Sequence, residues 1–480
     1  MSRSQSPTHP PADVPPHQEN YPHEYKLYKR RFAGLLGMSL LNLVGGMAMP
    51  WFGPIATSTS QVFHTSLNRV NWLGNITACT YIPAAALVPW TVSRYGLRRA
   101  CDIGAICFVL GAWVRYAANA NSLSPNSAYA LLIVGQFLSS IPQAVFQVLP
   151  TKYSESWFDA RWRTTATMIM SIMNPVGSAL AQVISPISSG PKESILVLGI
   201  IQTAASLFVF LIGSRPPTPP TYSAAQERPH RALLNELAGL PAGDESQYGR
   251  MSVREKLDFW FVVLVFGVQA GAVNTFGILT SQYFSPQGYS QNTSGFMGAT
   301  LLFAGIIAAA ISSPVFDRVF TRHLGLTIKI LVPILSALWL SLIWAIRPDN
   351  ATALFVLSGL IGICGITLLP VALEIAAELT RAPDASSAFL WAACSIFQVI
   401  MVLSESALRA GPNAKPPLNM RNALIFHGTI ICVVSLLTFG LKGEQTRRER
   451  DEIEAKRGGD PTSPEPPSRT VVEELEKSEG

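Results

Sequence analysis

The chain has 480 residues, 49% of them hydrophobic and 14% charged, with a mean hydropathy of +0.29 and a formal net charge of +6. Soluble globular proteins carry about 25% charged residues, so a deficit of this size over this length excludes a string of soluble domains and points to a membrane protein. The basic residues fall mostly in the tails and in short turns, which fits a solvated membrane face and leaves no nucleic-acid partner to expect.

Residues 1–25 are polar and Pro-rich with no apolar centre. They are expected to form a disordered cytosolic tail, reaching to about residue 30, and not a secretory signal. A membrane-crossing helix needs about 20 mostly apolar residues. Six such runs precede the middle of the chain, at 32–54, 70–90, 100–119, 128–150, 163–187 and 194–213. Six more follow, at 257–282, 295–315, 325–346, 350–376, 387–408 and 421–441. Only helices and closed barrels satisfy their backbone in hydrocarbon, and long unbroken runs favour helices. The expected fold is therefore an all-α membrane protein with twelve transmembrane helices in two six-helix bundles, 31–213 and 257–441. A polar, Pro-rich cytosolic linker, 214–256, joins them, and a charged cytosolic tail, 442–480, follows. Ser252 to Glu255, "SVRE", has the spacing of a capping box and is expected to open the seventh helix. Six and six around a polar centre is the layout of a two-bundle transporter.

Lysine and arginine near the span ends set orientation. With a cytosolic N-tail, the inner side receives "YKRRF", "RYGLRR", Lys152, Arg161, Arg163, the linker, "DRVFTRH", Arg381 and "RRERDEIEAKR". The outer side receives fewer: Arg69, Lys192, Arg347, Arg409, Lys415 and Arg421. The sequons at Asn292 and Asn350 then lie outside, where glycosylation can occur, whereas Asn75-Ile-Thr falls within the second span. The basic turn "VSRYGLRRACDIG", 92–104, becomes a cytosolic hinge between spans two and three.

That turn resembles the loop 2–3 signature of the major facilitator superfamily, G-x-x-x-D-R-x-G-x-R-R, with Ser93 in place of the usual aspartate. Within the superfamily, "VNWLGNITACTYIPAAALVPWTVSRYGLRRACDIGAICFVLGAWVRY", "GQFLSSIPQAVFQVLPTKYSESWF", "FWFVVLVFGVQAGAVNTFGILTSQ" and "LLPVALEIAAELT" are similar to the feline leukaemia virus subgroup C receptor-related transporters, solute carrier family 49. The resemblance covers about 30–440 and implies two bundles alternating between outward and inward access. It is associated with choline and ethanolamine uptake, with haem export, and in one branch with pyridoxine.

The resemblance also implies site residues. Gln143 matches a substrate-facing glutamine without gaps from Gly135 to Pro150, and Gln398 matches a second after a one-residue shift. Each could equally make an interhelical hydrogen bond. Asn174 matches a family asparagine and is followed by Pro175, so helix breaking is the alternative. A quaternary ammonium needs aromatic faces around it, and here the sequence departs from the family. Met49 stands where the family has a tryptophan, and Asn274, beside Gly271 and Ala272, stands where it has a tyrosine. Trp51 lies two residues on, about 200° around a helix, unless Pro50 bends it back. Without those walls a larger or less cationic solute becomes plausible.

Charge within the spans is sparse. Glu374 and Glu378, one turn apart, are expected with Arg94, Arg98, Arg99, Asp317 and Arg318 to lock an inner gate, with substrate or proton binding as the alternative. Glu405 and Arg409 read as an interfacial i, i+4 pair or part of an outer vestibule, and His427 as a packing histidine. With no buried aspartate and no histidine in mid-membrane expected, the reading favours a facilitator driven by its substrate's own gradient. The six cysteines lie in or beside apolar segments without a CxxC pair and read as small hydrophobes. No Walker A sequence, Gly-rich nucleotide loop, HExxH, GxSxG or Cys/His cluster is present, so no enzyme, metal or cofactor is expected. A facilitator of a small polar or cationic metabolite is the first reading. An exporter of a bulkier amphipathic compound is the second, and a non-transporting receptor on a transporter fold the third. The expected partners are a small-molecule substrate and the bilayer, with the chain a monomer and the plasma membrane its default location.

Overall fold

A computed structural model describes residues 27–158, 160–218, 251–315, 324–380 and 383–441, and those residues form helices without strands. The first half contains α1 (Arg30–Met47), the short α2 (Ala56–Val62), α3 (Leu67–Tyr95), α4 (Leu97–Ala117), α5 (Pro125–Trp157), α6 (Ala160–Ile187) and α7 (Pro191–Ser206). A 3-10 stretch, Leu207–Leu211, prolongs α7. The second half contains α8 (Val253–Phe284), α9 (Gln291–Val315), α10 (Leu324–Ala345), α11 (Ala351–Thr380), α12 (Pro383–Ala407), α13 (Arg421–Ser435) and a last turn, α14 (Leu437–Gly440). Among the described residues ten helices are long and apolar enough to cross a membrane. Helices α1 and α3 complete the twelve. Both bury polar side chains, Asn42 on α1 and Asn71, Asn75 and Thr77 on α3.

Local chemistry fixes the ends. Ser66 and Ser124 cap α3 and α5 by accepting from the Arg69 and Ser127 amides, each cap contributing about 1 kcal/mol. The capping box read at Ser252 is present: Glu255 N–H donates to Ser252 Oγ at 3.1 Å, and Ser252 N–H to Glu255 Oε2 at 2.6 Å. Only Gly96 separates α3 from α4, at φ +88°, a conformation that side chains resist. This is why the basic hinge carries its glycine. Sequence reading ran the first span to residue 54. The helix instead ends at Met47, ahead of Pro50, since a proline disfavours helical geometry in the residue before it.

Two hydrophobic cores form, one in each half, and Trp391 packs against both. The halves meet where α3 runs along α12 and α6 along α9. Within the first half, α1 and α6 touch backbone to backbone. A Cβ on Gly177 would sit 1.7 Å from the Leu43 carbonyl oxygen, and one on Gly46 would sit 2.1 Å from that of Asn174. Arg115, fully buried, ties the same bundle together. Its guanidinium donates to Gln136 Oε1 on α5 and Gln202 Oε1 on α7, both at 2.6 Å, and Gln136 Nε2 donates to the Ala48 carbonyl just past α1. Sequence reading named no charge at this depth.

Because the α1–α6 contact has no room for a side chain, Gly177→Leu should destabilise the protein by about 1–3 kcal/mol or more. Gly199, whose added Cβ would meet nothing nearer than 3.9 Å, should accept alanine. Thermal unfolding of the detergent-solubilised chain, read by size-exclusion fluorescence, compares the two.

Candidate functional site: a charge-free cavity between the bundles

Both described chain termini and the Gly96 hinge lie at one end of the helices, the near end. Loops 48–66, 118–124, 188–190, 285–290, 346–350 and 408–420 lie at the other, the far end. A cavity between the bundles holds about 1430 Å³ of non-protein space, its open mouth included. Its lining runs from Pro50, Gln182 and Gly277 toward the far end to Phe261, Thr438 and Leu441 at the near end. No Asp, Glu, Lys, Arg or His lines it among the described residues.

Amides supply its polarity. Gln143 and Gln147 come from α5, Asn174 and Gln182 from α6, Gln269 and Asn274 from α8, and Gln398 from α12. Asn274 Nδ2 donates to Gln398 Oε1 at 2.9 Å, joining α8 to α12, and Asn174 Nδ2 donates to Asn42 Oδ1 at 3.2 Å, joining α6 to α1. Four amide atoms remain buried with no hydrogen-bond partner: Gln143 Oε1, Gln182 Oε1, Gln269 Oε1 and Gln398 Nε2. Each such atom costs about 1–3 kcal/mol until a partner reaches it. Tyr81, Phe266 and Trp391 add aromatic faces, the last two meeting edge to face at 5.3 Å.

Polar cross-links close the far end. Gln182 Nε2 donates to the Gly277 carbonyl at 3.0 Å, and Ser281 Oγ to the Gly53 carbonyl at 2.7 Å. Asn71 Nδ2 reaches Ser406 Oγ at 2.8 Å, and Gln282 Nε2 donates to Asn71 Oδ1 at 2.6 Å. Arg409 completes the seal, donating to Gln282 Oε1 at 2.6 Å and to Asn68 Oδ1 at 3.2 Å. Partial burial lowers the Arg409 pKa from its ordinary value, which is still far above neutrality for a guanidinium. Its charge therefore persists within the seal.

A cavity at the interface of two bundles, sealed at one end and reached from the other, is the geometry of alternating access. The family model of the Major Facilitator Superfamily matches residues 35–404. The chain belongs to the Major Facilitator Superfamily. It is 27% identical to solute carrier family 49 member A3 of Xenopus tropicalis over 87% of this chain and 86% of that protein. It is 24% identical to the human choline/ethanolamine transporter FLVCR2 over 89% of this chain and 80% of the relative. Among solved structures, the inward-open xylose transporter XylE from E. coli superposes with a TM-score of 0.64 at 12% identity, covering 86% of this chain and 96% of that one. The chain is thus a membrane transporter of this superfamily.

The transporter fold brings Gln143, Asn174, Asn274 and Gln398 together in one cavity. Trp51 does not join them. Its ring is fully buried in the first bundle, where Nε1 donates to Ser194 Oγ at 3.0 Å. Pro50 ends the helix instead of bending it, and Met49 and Pro50 line the cavity in its place. The gate residues fare unevenly. Arg98 is committed to its own bundle, donating to the Val209 and Ile212 carbonyls at 2.7 and 2.6 Å and pairing with Asp102 at 2.9 Å. Arg94 and Arg99 are exposed at the near end beside Trp90 and Tyr95, and Glu374 is exposed rather than deep. Asp317, Arg318 and the Glu378 side chain lie outside the described residues.

Two expectations are corrected. Asp258 is a buried aspartate, paired with Arg254 at 3.0 Å near the start of α8. Glu405 is fully buried and faces His427, so it makes no interfacial pair with Arg409, which belongs to the far seal. Sequence reading also missed Gln182, Gln269 and Tyr81. Their only signal was polarity within an apolar run, which cannot tell a cavity face from a helix contact.

Removing Arg409 takes the charge-assisted bond to Asn68 from the seal, and a wedge at Gly53, whose Cβ would stand 2.0 Å from the Gly277 carbonyl oxygen, forbids its closure. Arg409→Ala and Gly53→Leu should each shift the balance toward a far-open state by roughly tenfold or more, since such bonds contribute about 1.5–3 kcal/mol apiece. Reaction of a cysteine placed at Ser281 with a membrane-impermeant maleimide measures that shift.

Proposed function

We propose that the chain moves a small hydroxylated organic solute, uncharged or singly cationic, through the amide-lined cavity by alternating access. The absence of charged side chains from the described lining carries this reading. An anion would find no cation there, and a multiply charged solute would lose its hydration without replacement. A hydroxyl both donates and accepts, which suits the unpartnered oxygens of Gln143 and Gln269 and the unpartnered Nε2 of Gln398. Tyr81, Phe266 and Trp391 offer ring faces to a quaternary ammonium, at positions other than the tryptophan and tyrosine sites the family resemblance implies. Choline and ethanolamine, which give the human relative FLVCR2 its name as a transporter, are the first candidates.

A bulkier amphipathic cargo is the second reading. The apolar wall of Leu302, Ile328, Val332, Ile366 and Leu369 on the second bundle favours it. A cytosolic near end follows from the Lys/Arg bias, and the plasma membrane is the default location. In that orientation Asn292 is an exposed glycan acceptor, while Asn350 Nδ2 is already held by the Ala345 carbonyl at 2.8 Å. Asn75, fully buried in α3, is closed to modification.

Uptake of labelled choline and ethanolamine into cells lacking their own carriers tests the substrate. Saturable uptake that falls roughly three- to tenfold in Gln143→Ala and in Gln398→Ala is expected, the loss of about one hydrogen bond each. No uptake by protein shown to reach the surface would reject both amino alcohols and turn attention to export of amphipathic compounds. On the same samples, glycosidase digestion should sharpen the wild-type band and leave Asn292→Gln unchanged. An unchanged wild-type band would remove the support for this orientation.

A further inference from the structure

One cluster of ionisable side chains lies apart from the cavity. Glu405 on α12 is fully buried, with Oε1 2.8 Å from His427 Nδ1 on α13, itself 1% exposed. The Tyr283 hydroxyl on α8 donates to the other carboxylate oxygen. The His427 ring lies 4.5 Å from that of Trp339 on α10, and its Nε2 has no hydrogen-bond partner. The remaining titratable groups on these elements point elsewhere. Arg409 is turned to Gln282 and Asn68, Arg347 donates to the Trp344 carbonyl, and Arg421 is exposed at the start of α13.

The cluster and the far seal are built from the same turns. Tyr283 follows Gln282, and Glu405 precedes Ser406 and lies one helical turn before Arg409. Adjacent helical residues point about 100° apart, so the seal faces the first bundle while the cluster faces the core of the second. When the bundles part at the far end, one layer of side chains separates Glu405 from water.

We infer that Glu405, His427 and Tyr283 form a proton-binding site that couples closure of the far end to the pH on that side of the membrane. Charge balance supplies the reason. A lone carboxylate in so dry a place is costly, and with the seal closed Arg409 is held away from it. A proton on the cluster, as Glu405 carboxylate with His427 imidazolium or as the acid with neutral imidazole, cancels that charge. With the seal open, Asn68 parts from Arg409, which keeps only Gln282 of its own bundle, and its guanidinium, just past the end of α12 and four residues beyond Glu405, is free to swing toward the carboxylate. The arginine then replaces the proton as countercharge, and the proton returns to far-side water. The closed state therefore binds more protons, so falling pH favours it and rising pH favours opening.

The test needs no substrate and so stands apart from the choline assay. Spin labels at Asn121→Cys and Gly411→Cys, both exposed far-end loop positions, replace the native cysteines as the only thiols in the full chain. The protein is reconstituted in phosphatidylcholine vesicles. The wild-type pair should shift from longer toward shorter distances as pH falls from about 8 to about 5, the range in which histidine titrates. Glu405→Gln should abolish the shift, and His427→Gln should do the same should the first variant fail to fold. Tyr283→Phe, which keeps both titrating groups, should retain the response with a displaced midpoint. A pH-independent wild-type distance, a shift of opposite sign, or a wild-type response surviving in Glu405→Gln would each overturn the inference.

Discussion

The cavity has its place because the two bundles touch through backbone at Gly53 and Gly277. No side chain separates α8 from the segment after α1 there, so the halves approach until a carbonyl lies where a Cβ would be. Polar groups along that seam need partners, since hydrocarbon offers none. Gln182 Nε2, Ser281, Asn71, Gln282 and Arg409 find them by crossing from one bundle to the other. Closure at one end splays the helices at the other, and the amide-lined space is what the splay leaves.

The architecture was legible in the sequence for a physical reason. A span must be apolar for about 20 residues whatever its neighbours are, so twelve runs predict twelve helices without knowledge of packing. The Ser252 capping box and the Gly96 hinge were legible for the same reason, because each is decided by a few adjacent residues. The cavity amides were readable only through resemblance, since Gln143 or Gln398 facing solute looks the same in sequence as either facing another helix. Trp51 shows the limit. Its position two residues from the family's tryptophan left two outcomes open, and a hydrogen bond to Ser194, far along the chain, selected between them.

Charge was the least legible property, because its depth depends on partners and not on position in a run. Arg115 sits two residues from the end of α4, where a reader expects an interfacial arginine, yet it is fully buried among Gln136, Ser139 and Gln202. Glu374 sits in a longer apolar run and is exposed. Amide oxygens that surround a guanidinium restore part of its hydration, and what they join is the far half of the first bundle. This half can then move as one body. Glu405, His427 and Tyr283 play the corresponding part in the second.

The separation of charge from cargo follows from what alternating access requires. Moving a two-state balance from one side to the other takes about 5.5 kcal/mol of differential interaction, and a small solute meeting neutral amides gains only about 0.5–1.5 kcal/mol per hydrogen bond. A cavity whose described lining carries no charge thus has little leverage over the bundles. The larger electrostatic terms lie in the far seal, where Arg409 spans both halves and the buried Glu405 lies one turn behind it. The far seal, more than the solute, therefore sets which face of this transporter is open.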